Sequence, residues 1–84
     1  MYNDENKVYV FSKYNCMQCK FAKLFLDNNN IEYVEINIEE DEEAFVHIKE
    51  NYQAKAMPLV VFNQEVYARG NNPDGLERLA EVIS

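Results

Sequence analysis

Two cysteines in 84 residues, spaced as Cys16-Met17-Gln18-Cys19, are the residues of this chain best suited to chemistry. A bridge across two intervening residues closes a very small loop and removes little entropy from the unfolded chain, so the pair is a poor structural staple. Sulfur used as a nucleophile is the better reading. The pair falls where a strand is expected to end and a helix to begin. The first N–H groups of a helix lack internal partners and its dipole adds positive charge there, so a thiolate at Cys16 is stabilised. Residues three apart on a helix share a face, which brings Cys19 within reach of Cys16. The pair therefore suits a two-step exchange: Cys16 attacks a substrate disulfide, and Cys19 then displaces the substrate from Cys16. Lys13 and Lys20 flank the pair and add positive potential. A closed zinc site needs four ligands, and the chain offers two cysteines and one histidine, His47. Two inert buried cysteines, or a cluster shared between two chains, compete with the redox reading.

The elements that must position this pair can be read from periodicity. Lys7-Val8-Tyr9-Val10-Phe11 is rich in β-branched and aromatic residues and predicts a buried strand, followed by a polar loop from Ser12 to Asn15. Residues 16–27 predict a helix with one wide apolar face carrying Phe21, Ala22, Leu24, Phe25 and Leu26, ended by Asn28-Asn29-Asn30. Residues 31–38 alternate and predict a second strand with Val34, Ile36 and Ile38 on one side. Residues 40–52 predict a second helix with Ala44, Phe45 and Ile48 inward and an acidic start at Glu39–Glu43. Leu59–Phe62 and Glu65–Ala68 predict a hairpin joined by Asn63-Gln64. Asn72 and Pro73 are an N-cap and first residue for a last helix with Leu76, Leu79, Ala80 and Ile83 inward. The order is β-α-β-α-β-β-α. This α/β arrangement gives a four-stranded mixed sheet with three helices on its two faces. One domain over residues 1–84 is expected, with residues 1–6 loose.

Composition narrows the function. Eight Lys and Arg against fifteen Asp and Glu give a net charge of −7, which argues against nucleic acid and against anionic membrane surfaces. No apolar run approaches the roughly 20 residues of a membrane helix, and the start has no signal-peptide pattern. A cytoplasmic protein is expected, and a monomer.

Met57-Pro58 precedes the third strand, where a missing N–H is tolerated. A trans bond would simply start that strand; a cis bond would turn the Met57 backbone toward the sulfur pair. Tyr14 either lines the approach to the sulfurs or covers the edge of the core. Gly70 supplies a turn with positive φ before the last helix. His47 reads as a surface residue, and Glu39–Glu43 as a solvated helix start whose spacing matches no calcium loop.

Taken together, Tyr9-Val10-Phe11-Ser12-Lys13, Cys16-Met17-Gln18-Cys19, Ile31-Glu32-Tyr33, Met57-Pro58-Leu59-Val60-Val61 and Gly70 resemble a glutaredoxin-like protein of the thioredoxin superfamily, closest to the NrdH redoxins. The resemblance runs from Lys7 to Ile83. Cys16-Met17-Gln18-Cys19 is similar to the Cys-(Val/Met)-Gln-Cys site of NrdH redoxins, whereas ordinary glutaredoxins usually carry Cys-Pro-Tyr-Cys. It implies a thioredoxin-like fold and a cis Met57-Pro58 bond. Cys16 and Cys19 would be catalytic, with Lys13, Tyr14, Met17, Gln18, Met57, Pro58, Gly70 and Asn71 around the substrate groove. No bound cofactor or metal is implied, only a redox-active Cys16–Cys19 disulfide. Electrons would come from thioredoxin reductase and NADPH, or from glutathione, and pass to ribonucleotide reductase or another protein disulfide. One stretch departs from the pattern. NrdH redoxins usually show Trp-Ser-Gly-Phe-Arg-Pro-Asp where this chain has Ala68-Arg69-Gly70-Asn71-Asn72-Pro73-Asp74. The stretch also lacks the full Gly-Gly-x-Asp-Asp signature by which glutaredoxins hold glutathione. A glutathione-dependent glutaredoxin and a non-enzymatic thioredoxin-fold module are the competing functions.

Overall fold

The structure, a computed structural model, describes Tyr2 and residues 4–84. Its elements are β1 (Val8–Ser12), α1 (Met17–Asn28), β2 (Tyr33–Asn37), α2 (Glu42–Tyr52), β3 (Leu59–Phe62), β4 (Glu65–Arg69) and α3 (Pro73–Ile83). The order matches the one expected, and the sheet runs β2-β1-β3-β4. β1 is buried at every position because it sits between two neighbours and beneath helices on both faces. β2 pairs with it in parallel, with Val10 opposite Glu35 and Ser12 opposite Asn37. β3 pairs with it antiparallel, with Val10 opposite Val60. A parallel pair requires a crossover, and α1 provides it.

The pleat of β1 divides the core in two. Val8 and Val10 face Ala22 and Leu26 of α1 and Leu76 and Leu79 of α3. Tyr9 and Phe11 face Ala44 and Ile48 of α2. Full burial of an aliphatic or aromatic side chain contributes about 1.5–3 kcal/mol, so these alternating residues are the main driving force for layering.

Local chemistry sets the boundaries. Asn63 and Gln64 both have positive φ, 49° and 67°, which is the type I′ geometry whose twist suits a two-residue hairpin. Asn72 caps α3 through its side chain, accepting from Gly75 N at 3.0 Å, with Pro73 as the next residue. Asp41 caps α2 in the same way, accepting from Ala44 N at 3.1 Å, so the acidic run both caps this helix and supplies its first turn. At the end of α1, Asn30 takes φ 58° and Ile31 N donates to Leu26 O at 2.9 Å.

Several side chains differ from what periodicity predicts. Ser12 belongs to β1 rather than to the loop, and it is buried. Val34, Phe45 and Ile83 are exposed rather than inward. β2 is an edge strand, so one end of its apolar side meets solvent. Phe45 lies on the outer flank of α2, where the Lys49 ammonium sits 5.8 Å from its ring centre. The wide apolar face expected of α1 is two faces: Ala22 and Leu26 are buried, while Phe21 and Leu24 point outward.

His47 is not a plain surface residue. Its ring packs among Tyr2, Phe11 and Tyr52, at centroid distances of 5.1, 6.3 and 5.9 Å. Asn51 Nδ2 lies 3.2 Å from Nδ1, and Nε2 is buried with no hydrogen-bond partner among the described residues. Tyr2 in turn donates to Asp41 at 3.0 Å and packs on Tyr9 and Phe11, so this part of the N-terminus is tied to the core. Met1 and Asn3, which fall in the segment expected to be loose, lie outside the described residues.

This packing has two measurable consequences. A Cβ added at Gly75 would lie 1.7 Å from Tyr67 O. Gly75→Ala should therefore destabilise the protein by about 1–3 kcal/mol despite the higher helix propensity of Ala, read as a lower urea midpoint. Burial holds the pKa of His47 below its ordinary value, so the folded state favours the neutral ring. The unfolded state binds the extra proton as pH falls below about 6.5, and stability is lost there. Urea titrations at pH 7.5 and 5.0 should show the wild type losing ground relative to His47→Phe at the lower pH.

Candidate functional site

The site is built where β1 runs into α1. Cys16 is the N-cap of α1, with extended backbone (φ −114°, ψ 100°), and its Sγ accepts from Cys19 N at 3.1 Å. The sulfur thus occupies the place where Ser or Asp oxygen usually satisfies an orphan helix donor. Cys16 and Cys19 are joined as a disulfide with a Cα–Cα separation of 5.2 Å. The two are not equivalent. Cys16 is half-buried and reaches the surface, whereas Cys19 is 2% exposed, packed against the core face that α2 covers.

On one side of the disulfide lies an open cleft of about 580 Å³, lined by Lys13, Tyr14, Met17, Lys20, Lys23 and Glu35 together with both cysteines. Tyr14 is exposed rather than part of the core edge. Its backbone N donates to Glu39 Oε1 at 2.6 Å and its hydroxyl donates to Glu40. That hydroxyl bond to a carboxylate raises the phenol above its ordinary pKa. At the floor, buried Ser12 donates to Glu35 Oε2 at 3.1 Å, and Lys23 Nζ pairs with the same oxygen at 2.8 Å. Sequence reasoning misses this Ser12–Glu35–Lys23 group. Its only signals are the parallel register of β1 and β2 and the spacing of Lys23 four residues after Cys19.

On the other side stands the segment before β3. Met57-Pro58 is cis, and Met57 O lies 3.9 Å from Cys16 Sγ. In the disulfide state this is a contact, since the sulfur carries no hydrogen. Met57 and Pro58 are buried. Gly70 has φ +68° and its N donates to Pro58 O at 2.8 Å. A backbone turn with positive φ is thereby fixed against the proline, a conformation for which glycine is the low-cost residue. Asn71 follows it, exposed. The structure therefore brings Lys13, Tyr14 and Met17 together with the sulfurs on one rim, and Met57, Pro58 and Gly70 on the other. Gln18 is exposed on α1 outside the cleft, and Asn71 also lies outside it. A larger hollow of about 760 Å³ opens at the far end of β1 around Lys7, Asn30 and Glu32, with neither cysteine nor histidine in its lining.

Among the described residues, no group of three or more His, Cys, Asp or Glu side chains is arranged to hold a metal ion. Among the same residues, no helix is long and apolar enough to cross a membrane. A sulfur at a helix mouth, with a buried companion one turn on, can exchange disulfides with an incoming thiol or disulfide.

Comparison with known proteins agrees with this chemistry. The sequence model of the glutaredoxin family matches residues 8–67. The chain is 38% identical over 73 residues to the glutaredoxin-like protein NrdH of Lactococcus lactis subsp. cremoris, covering 87% of this chain and 99% of that protein. Among solved structures, the thioredoxin-like protein BC3987 superposes with a TM-score of 0.82 at 30% identity, covering 87% of this chain and 99% of the other. The glutaredoxin-like NrdH-redoxin of Escherichia coli superposes with a TM-score of 0.78 at 22% identity, covering 87% and 93%, and so shares the thioredoxin-like fold. With its Cys-x-x-Cys pair capping α1 and the family match running from β1 into β4, the chain belongs to the glutaredoxin family and is a thiol–disulfide oxidoreductase of the glutaredoxin-like, NrdH kind.

Proposed function

We propose that this chain carries two electrons to a disulfide in a protein partner, with Cys16 as the attacking sulfur and Cys19 as the resolving one. The observation that carries the assignment is the asymmetry of the pair: Cys16 reaches solvent at the mouth of α1, and Cys19 is buried behind it. In the reduced protein the Cys16 thiolate attacks one substrate sulfur and bonds to it as a mixed disulfide; the substrate S–S bond breaks, and the other substrate sulfur leaves as a thiolate that takes up a proton. Cys19 then gives up its proton and attacks Cys16 Sγ. The mixed bond breaks, the second substrate thiolate leaves, and the Cys16–Cys19 bond closes. The substrate gains two electrons and the protein loses them.

The similarity to glutaredoxin-like NrdH proteins supports ribonucleotide reductase as the substrate, and thioredoxin reductase with NADPH as the reductant. Lys13, Tyr14 and Met17 form one rim of the substrate groove, and Met57, Pro58 and Gly70 the other, with Gln18 and Asn71 exposed beyond them. The protein works as a monomer in the cytoplasm, where glutathione and thioredoxin systems keep thiols reduced. Glutathione is the competing reductant.

Cys16→Ser should abolish turnover of a protein disulfide. Cys19→Ser should keep the first step and accumulate a mixed disulfide, seen as an intact-mass increase that dithiothreitol removes. Trapping through Cys19 in a Cys16 variant would reverse the two roles. With the wild type, insulin reduction should proceed with thioredoxin reductase and NADPH. Turnover supported by glutathione and its reductase alone would transfer the assignment to a glutathione-dependent enzyme.

A further inference from the structure

α1 is apolar on two opposite sides. One side carries Cys19, Ala22 and Leu26 into the core. The other carries Met17, Phe21 and Leu24, which are 61%, 60% and 55% exposed. The spacing of four and then three residues stacks these three side chains in one stripe about 10 Å long, running away from the disulfide. An exposed apolar row of this kind marks an interaction surface more often than isolated exposed residues do.

Two observations bear on what covers it. The stripe is continuous with the redox site: Met17 is both its first member and part of the cleft lining, directly after Cys16. Any protein disulfide held at Cys16 is therefore in position to lay adjoining chain along α1. The cleft lining at the disulfide end of the stripe carries Lys13, Lys20 and Lys23 against Glu35, while Glu39 and Glu40 are held by Tyr14. Lys13 and Lys20 line the cleft, and among the described residues neither makes an ion pair, in a chain of net charge −7.

We infer that the Met17–Phe21–Leu24 face of α1 is the docking strip for the substrate protein, and that it selects a disulfide flanked by apolar and acidic residues. This rests on the proposed protein-disulfide function and adds to it a substrate class. The apolar row supplies affinity by excluding water, and Lys13 and Lys20 orient the acidic end toward the sulfurs.

The test uses two synthetic disulfide peptides, one with Leu, Phe and Glu beside the disulfide and one with Ser and Lys there. Hydroxyethyl disulfide serves as a small control, and dithiothreitol drives all three reactions. The wild type should prefer the acidic-apolar peptide. Phe21→Ser/Leu24→Ser should raise KM for that peptide about 10-fold with kcat within about twofold, and leave hydroxyethyl disulfide reduction unchanged. Lys20→Glu should lower kcat/KM for it at low salt, with the effect shrinking at high salt. An unchanged KM in the double variant overturns the inference. So does an equal loss on the small disulfide, which would make the stripe a support for the site itself. With thioredoxin reductase and NADPH in place of dithiothreitol as a second arm, a defect confined to that arm would overturn the inference and assign the strip to the reductant. A concentration-dependent dimer of the wild type, abolished in the double variant, would make a second copy its occupant. Wild-type failure on all three disulfides would overturn the redox function itself, and the docking strip with it.

Discussion

The bond from the Cys19 amide to Cys16 Sγ, 3.1 Å long, joins the fold to the chemistry. A helix must satisfy the donors of its first turn, and here one of them is satisfied by sulfur rather than oxygen. That requirement holds Cys16 in extended backbone at the end of the β1–α1 loop. It places Cys19 one turn further on, facing the core. The same geometry that closes the helix presents an electrophilic or nucleophilic sulfur to solvent, according to redox state. The sheet exists, from the point of view of function, to aim that helix mouth. β1 is buried on both faces and α1 packs back along it through Ala22 and Leu26, so the mouth of the helix has little freedom to move.

Much of this arrangement is legible in the chain itself. Cys16-Met17-Gln18-Cys19, Met57-Pro58 and Asn72-Pro73 are local signals whose physical meaning does not depend on distant residues, and each appears where its chemistry requires. The hairpin at Asn63-Gln64 is legible in length but not in type. Gln is an unusual residue at positive φ, and the twist of the paired strands imposes it.

What periodicity does not give is which apolar residue finds a partner. Phe21, Leu24, Phe45, Val34 and Ile83 all fit apolar patterns, yet the described residues form only three helices and four strands to cover them. The narrow helix faces are filled by Ala22, Leu26, Ala44, Ile48, Leu76 and Leu79. Ser12, Glu35 and Lys23 are missed for the opposite reason. Their meeting depends on the β1–β2 register and the way α1 crosses it, information that lies between segments. His47 likewise looks like any helix-surface histidine until Tyr2, far away in sequence, closes over it.

The loop ahead of the disulfide is fastened from behind. Ile38 N donates to Ser12 O at 2.9 Å, and Tyr14 is bonded through its amide to Glu39 and through its hydroxyl to Glu40. Both anchors belong to the β2–α2 connection, so the sulfur is braced by a different part of the chain from the one that carries it. The entropy of ordering this loop is therefore lost once, during folding, and not again at each encounter. A carrier built this way can meet successive oxidised and reduced proteins as a rigid body, releasing each without first having to relax.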